Sequence, residues 1–340
     1  MTVLVTGATG FIGVNLVEAL LARGDGVVLV SPLSIRPDPE RNPRGSPPGA
    51  FEVLSRLPGT LHPVIGDVTD EAAMDRVFSE FQPEKVIHGA AITPGTARER
   101  EQARLTSEVN FMGTLSVLEA ARRAKVARFI YLSSGSVYGL NAFDAEELDE
   151  ETTVPLPDTI YAITKYAGER LSLRYRSIWD MDVVAARLGT AFGPWEWDTG
   201  VRATLSAILQ VTTHAVHGRE AVLADMVGRK DWVYGRDIAD SILAILDAPR
   251  LSHQVYNLGP GVTWTVDDWC DRLAAAFPGF SHRRAEPGEE PNVGYGTADR
   301  APFAIRRLVE DVGYRPRFDL DESFADYMAW IEATPEFWRE

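Results

Sequence analysis

Cysteine is almost missing from this chain, which has one, Cys270. A single thiol closes no intramolecular disulfide, and no cysteine cluster exists to hold zinc or an iron–sulfur centre. Cys270 falls in the helix-like stretch 264–277, where it reads as a small buried hydrophobe rather than a nucleophile. Positive charge is also short: 34 Lys and Arg face 49 Asp and Glu, a net charge of −15. That balance argues against nucleic acid and anionic membrane surfaces as partners. No apolar run approaches the roughly 18 residues of a membrane helix, and no basic leader precedes Val3–Val5. With the lone thiol, this points to a cytoplasmic setting. His214 and His217 have no acid or thiol cluster about them, so no metal site is expected.

What remains is an ordinary globular composition, 45% apolar and 24% charged over 340 residues, long enough for two domains or for one large domain with a lobe. Short β-like runs occur at Val3–Val5, Val27–Val30, Leu61–Ile65, Lys85–His88, Arg128–Leu132, Asp182–Leu188 and Gln254–Leu258. Helix-like segments separate most of them, which predicts right-handed βαβ crossovers and a doubly wound parallel α/β fold. Residues 36–49 carry five prolines and read as a surface loop. Residues 141–157 are acidic and end in Val-Pro-Leu-Pro, and they are expected to arch over the site beside them.

Between the first strand and helix lies Thr6-Gly-Ala-Thr-Gly-Phe-Ile-Gly13. Gly7 allows a tight turn, Gly10 leaves the helix N-terminus open to a pyrophosphate, and Gly13 permits close packing of helix on strand. A dinucleotide site usually has an acid at the end of the second strand to take the ribose hydroxyls; here Ser31 follows Val30. A hydroxyl tolerates a 2′-phosphate better, with Arg36 within possible reach, so the cofactor is NAD or NADP. Asp67, after the third strand, suits the adenine amine or else caps the helix near Thr69. Further on, Tyr161 and Lys165 stand at i,i+4, so on a helix phenol and ammonium share a face. A cation beside a phenol favours phenolate, as a general base for a secondary alcohol requires. Ser133, Ser134 and Ser136 sit upstream at the carboxyl end of a predicted strand, where doubly wound sheets bind ligands.

In this order the motifs resemble the extended short-chain dehydrogenases/reductases of the NAD-dependent epimerase/dehydratase family. The matching series is Gly7 to Gly13, Asp67-Val68, His88-Gly-Ala-Ala91, Asn110 to Thr114, Ser134 with Val137-Tyr-Gly139, Tyr161 with Lys165, Arg187, Gly193-Pro194 and Asp231 to Asp237. The resemblance implies a Rossmann-type domain over 1–188 to which 231–258 returns, with a smaller, discontinuous substrate lobe from 189–230 and 259–340. It implies a cofactor site of Gly7, Thr9, Gly10, Phe11, Ile12, Gly13, Ser31, Asp67, Val68, Ala90, Ala91, Asn110, Ser133, Tyr161, Lys165 and Leu188. It assigns catalysis to Ser134, Tyr161 and Lys165, and substrate contacts to Thr93, Ser134, Ser136 and Thr190. A homodimer through helices near Glu101–Ala124 and Tyr161–Trp179 is also implied.

Departures from the family pattern narrow the substrate. Related dehydratases carry Thr-Asp-Glu where this chain has Ser134-Gly-Ser136, which disfavours dehydration. Family members that act on nucleotide sugars place an Arg before the acid at 231 and another in the later loop, gripping the diphosphate. Here Lys230 precedes Asp231 and the later loop is acidic, Glu286-Pro-Gly-Glu-Glu290, which is expected to repel a diphosphate. Trp195, Trp197 and Arg202 form either a stacking surface and anion contact for a sugar-like ring, or buried packing with Arg202 paired to Glu196 or Asp198. The expected activity is epimerisation of a sugar or nucleotide sugar; net dehydrogenation of a free sugar, sugar acid or related alcohol is the alternative. A non-catalytic dinucleotide sensor is disfavoured by the intact Ser, Tyr and Lys.

Overall fold

The structure is a computed structural model that describes residues 1–36, 46–143, 145–200, 205–225, 228–294 and 299–339. The chain runs β1 (Thr2–Thr6), α1 (Phe11–Ala22), β2 (Gly26–Ser31), α2 (Ala50–Leu54), β3 (Thr60–Ile65), α3 (Glu71–Phe81), β4 (Lys85–His88), α4 (Thr96–Ser107), α5 (Gly113–Ala124), β5 (Arg128–Ser134), α6 (Ile160–Trp179) and β6 (Val183–Leu188). It continues through β7 (Thr190–Phe192), α7 (Ala207–Val216), β8 (Glu220–Leu223), β9 (Trp232–Tyr234), α8 (Gly235–Asp247), β10 (Val255–Leu258), α9 (Val266–Ala276), β11 (Ser281–Arg284) and α10 (Leu320–Ala333).

Seven strands form one parallel sheet in the order β10-β6-β5-β4-β1-β2-β3. Alternation along each strand explains why both faces are covered. Val3 and Val5 of β1 pack into the cluster that holds α1 and α8, whereas Leu4 packs into the cluster of α3, α5 and α6. The strand order reverses between β1 and β4, and in such sheets the crevice for ligand opens there, beyond the carboxyl ends.

Buried polar contacts hold that crevice open. Thr6 Oγ1 lies 2.7 Å from His88 Nδ1 and accepts from the Gly89 and Ala90 N–H groups at 3.2 Å. Gly7, at φ +68°, comes so close to the β4 loop that an added Cβ would stand 2.8 Å from Ala90 backbone. Only glycine fits there.

Beyond β6 the chain builds two small parallel ribbons, β7 with β9 and β8 with β11. An aromatic cluster, including Phe192, Trp264, Trp269 and Tyr327, fastens β7 to α9 and α10. Cys270 is buried in this cluster, and burial pushes its thiol pKa up. No helix among the described residues is long and apolar enough to cross a membrane.

The acidic segment 141–157 does not arch over the crevice. Arg306 binds Glu147 at 2.7 Å and Asp149 at 2.8 Å, Arg307 binds Glu151 at 3.3 Å, and Leu148 bridges to Phe303. Opposite charge draws it onto the C-terminal lobe instead.

Candidate active site

A cavity of about 590 Å³ opens at the carboxyl ends of β1, β4, β5 and β6. Its first end is built from backbone. Gly10 is the N-cap of α1, and Gly7, Thr9, Gly10, Phe11, Ile12 and Gly13 line the wall. An added Cβ at Gly13 would stand 2.3 Å from the Gly7 carbonyl oxygen, whereas at Gly10 it would meet only that oxygen, at 3.3 Å. Gly13 thus seats the helix and Gly10 leaves its N–H groups open, which fits a pyrophosphate. Ser31 also lines this end, its Oγ 2.7 Å from Thr9 Oγ1 and accepting from Leu33 N at 3.2 Å. Arg36 stacks 4.9 Å from the Phe51 ring. Asp67 and Val68 line the far wall, Asp67 Oδ1 accepting from Thr69 N and Oγ1. The cap of α3 is Asp70, not Asp67.

The middle of the cavity carries Ala90, Ala91, Thr93, Ser133, Ser134, Ser136, Tyr161, Lys165, Leu188 and Thr190. Thr159 caps α6 through Ala162 N, so Tyr161 and Lys165 fall one turn apart on its inner face. Lys165 is 3% exposed, its Nζ 4.2 Å from the Tyr131 ring centroid. Burial pulls its pKa down to about 7, against the opposing carboxylate of Glu169. Glu169 lies fully buried behind the wall. It takes Arg187 Nε at 3.0 Å and Nη2 at 2.7 Å, and the Ser133 hydroxyl at 2.7 Å. Ser134 Oγ accepts from Ser136 N at 3.1 Å, fixing the hydroxyl at the strand end.

One of the expected site residues falls elsewhere. Asn110 does not line the cavity; its Oδ1 accepts from Ile92 N at 2.7 Å and its Nδ2 donates to Ile92 O and Thr164 Oγ1. It clamps the β4 loop onto α6 because its amide satisfies a backbone N–H and C=O that have no sheet partner. Arg202 lies outside the described residues. Trp195 is buried, donating to Glu18 at 2.6 Å and packing edge-on to Trp330, while Trp197 lines the cavity. The two readings of that segment are therefore divided between its two indoles. His217 ties α7 to the carbonyls of Thr213 and Trp338.

The far end of the cavity is cationic. Lys230 and Arg300 line it, and Asp67, at the other end, is its one lining carboxylate among the described residues. The acidic loop 286–290 stands away: Glu289 is held by Arg283 through two 2.7 Å bonds and lines no part of the cavity. The repulsion expected of that loop is accordingly absent from the site. Below Lys230, Asp231 is fully buried with Oδ1 3.4 Å from the Thr190 hydroxyl, and burial raises its pKa to about 6. Sequence reading missed Glu169 and Arg300. Glu169 had a usable signal, standing four residues after Lys165 on the same helix face; Arg300 had none.

With this geometry in place, the comparisons agree on its class. The NAD dependent epimerase/dehydratase family matches residues 3–259, and the chain belongs to that family. A UDP-glucose 4-epimerase of Mycolicibacterium smegmatis is 31% identical over 332 residues, 96% of each chain. Among solved structures, the UDP-glucose 4-epimerase of Thermotoga maritima with UDP-glucose superposes with a TM-score of 0.80 at 25% identity, covering 98% of this chain and 100% of that one. The Thermus thermophilus UDP-glucose 4-epimerase with NAD gives 0.76 at 27% identity, covering 98% and 99%.

Proposed function

We propose that the protein is an NAD-dependent oxidoreductase that epimerises a secondary hydroxyl carbon of a nucleotide sugar, with Tyr161 as general base. The observation that carries this is one continuous cavity joining a glycine-lined helix N-terminus, the Ser134, Tyr161 and Lys165 side chains, and a cationic far end. When bound, NAD supplies the hydride acceptor and, in the return step, the donor. The chain's own residues do the rest. Tyr161 takes the proton of the substrate hydroxyl as the carbon is oxidised and gives it back on reduction. Lys165 in its charged form favours the phenolate, and Glu169 behind it opposes the desolvation that would strip that charge. Ser134, oriented by Ser136 N, hydrogen-bonds the reacting oxygen as charge develops on it. Lys230 meets the diphosphate as a compact point charge.

Tyr161→Phe tests the reading. Turnover of UDP- or dTDP-hexoses, followed as epimer ratio by NMR, is expected to fall about 10²- to 10⁴-fold. Thermal stabilisation by saturating NAD is expected to survive. Undiminished turnover in this variant would remove Tyr161 from the mechanism. Stoichiometric accumulation of reduced cofactor in the wild type would make the enzyme a net dehydrogenase instead.

A further inference from the structure

We infer that Tyr131 is a positioning residue for Lys165: the face of its ring holds the ammonium charged and turned into the cavity. This deepens the proposed function and rests on its reading of Lys165 as the charge that acts on Tyr161. Lys165 is 3% exposed, yet among the described residues its Nζ has neither a hydrogen bond nor an ion pair. Glu169, one turn further along α6, is committed elsewhere. Its Oε1 takes Arg187 Nη2 at 2.7 Å, and its Oε2 takes Arg187 Nε at 3.0 Å and Ser133 Oγ at 2.7 Å. An ammonium sealed away from water tends to lose its proton, and burial does pull Lys165 down to about 7, with Glu169 opposing from beyond ion-pair distance.

The group in contact with that ammonium is the Tyr131 ring. Nζ lies over its face, 4.2 Å from the centroid. The negative face of an aromatic ring attracts a cation, most strongly where water is excluded. Tyr131 is fully buried on β5 and lines no part of the cavity, whereas Lys165 does line it. The ring therefore meets the ammonium from behind and leaves its cavity side to a ligand.

Neighbouring groups fix the ring in place. Its hydroxyl donates to the main-chain oxygen of Lys165 at 3.2 Å, so one residue grips that lysine by backbone and by side chain. Gly168 lets α6 settle onto the phenol, since a Cβ there would stand 2.4 Å from Tyr131 Oη. His88, the register partner of Tyr131 on β4, lies with ring centroids 5.9 Å apart; burial keeps its imidazole neutral, so it does not compete for the face. On the cavity side stands Tyr161, one turn before Lys165 on α6. A charge held by a neutral ring is not cancelled by its holder, as it would be beside a carboxylate, and it stays available to draw that phenol toward phenolate.

The chain has four lysines, Lys85, Lys125, Lys165 and Lys230, so the ammonium can be titrated directly. The test is an NMR pH titration of the NAD-saturated protein carrying lysine isotope-labelled at Cε, with Lys165→Arg assigning the signal. Wild type is compared with Tyr131→Phe, which keeps the ring and drops the hydroxyl, and with a ring-trifluorinated phenylalanine at 131, which keeps the shape and withdraws electron density from the face. Tyr131→Leu removes the face altogether. From phenylalanine to its trifluorinated form the Lys165 midpoint is expected to fall by about one pH unit, a roughly tenfold easier loss of the proton. Tyr131→Phe is expected to stay within about 0.3 unit of wild type, and Tyr131→Leu to fall at least as far as the trifluorinated ring. Should the Leu variant not fold, seen as lost stabilisation by NAD, the two phenylalanines carry the test alone. Equal midpoints for those two overturn the proposal and leave Tyr131 as packing. A fall in Tyr131→Phe as large as in the trifluorinated form also overturns it, and gives the hold on the charge to the hydroxyl. The expected fall beside full turnover by Tyr161→Phe upholds the ring's hold on Lys165 and sinks only the assigned base.

Discussion

The two ends of the cavity are built on opposite principles. The dinucleotide end is made of consecutive residues, Gly7 to Gly13, and works through backbone N–H groups and missing Cβ atoms. The cationic end gathers Trp197, Lys230 and Arg300 from separate segments and presents side-chain charge. A site made of backbone leaves a pattern in the sequence, because each glycine answers a local steric demand. A site made of converging charges leaves none, because the spacing that matters exists only after folding.

The joint between the two ends is Glu169, and removing it is the severest way to break the contrast. Glu169→Ala leaves Arg187 buried, 3% exposed, with its hydrogen bonds to Glu169 gone, and it deprives Ser133 of its acceptor. Breaking a buried ion pair from one side costs about 3–5 kcal/mol. Urea unfolding is expected to register a loss of that size, with NAD and sugar-nucleotide affinities both reduced. A loss below about 1 kcal/mol would mean that the ends stand independently of this pair.

A smaller effect separates the ends by acid. His88, between Thr6 and Thr114 under the dinucleotide end, is fully buried, and burial with the nearby Lys165 charge pushes its pKa down to about 3 from 6.5. Between pH 6.5 and about 3 the unfolded chain binds a proton there that the folded chain refuses. Stability therefore falls with acidification across that window, by up to about 1.4 kcal/mol per pH unit. Asp231, raised from 3.8 to about 6, has the opposite sign: acidification through pH 6 to 3.8 protonates it in the folded chain first and adds stability. His88→Gln is expected to start less stable, having lost ring contacts, and to show a shallower acid slope in thermal melts at pH 4 to 7. Parallel slopes for variant and wild type would show that His88 is not what acid attacks.

The legibility of the rest follows the same division. The seven strands were readable because each is a short apolar run and helix-like segments separate most of them, which predicts a parallel sheet but leaves the order of its strands open. That Ser134, Tyr161 and Lys165 would face one cavity was readable from their position at a strand end and one helical turn. Asn110 was misread because a motif does not say which way an amide faces, and here the unpaired backbone of Ile92 claims it. The acidic segments were misread because net charge along the chain says nothing of the arginines, Arg283 and Arg306, that fold onto it.

Ser31→Asp is the mildest perturbation and the sharpest for the dinucleotide end, since it adds charge where the wild type has only the Thr9 and Ser31 hydroxyls. A carboxylate there accepts from ribose hydroxyls and repels a 2′-phosphate. At about 4 Å in a water-like medium that repulsion is about 1 kcal/mol, roughly fivefold. The ratio of NADP to NAD dissociation constants, from titration of both, is expected to rise by that factor while UDP-sugar affinity holds. An unchanged ratio would take the ribose away from the end of β2, and a shift in sugar affinity would mean that charge placed at one end of the cavity is felt at the other.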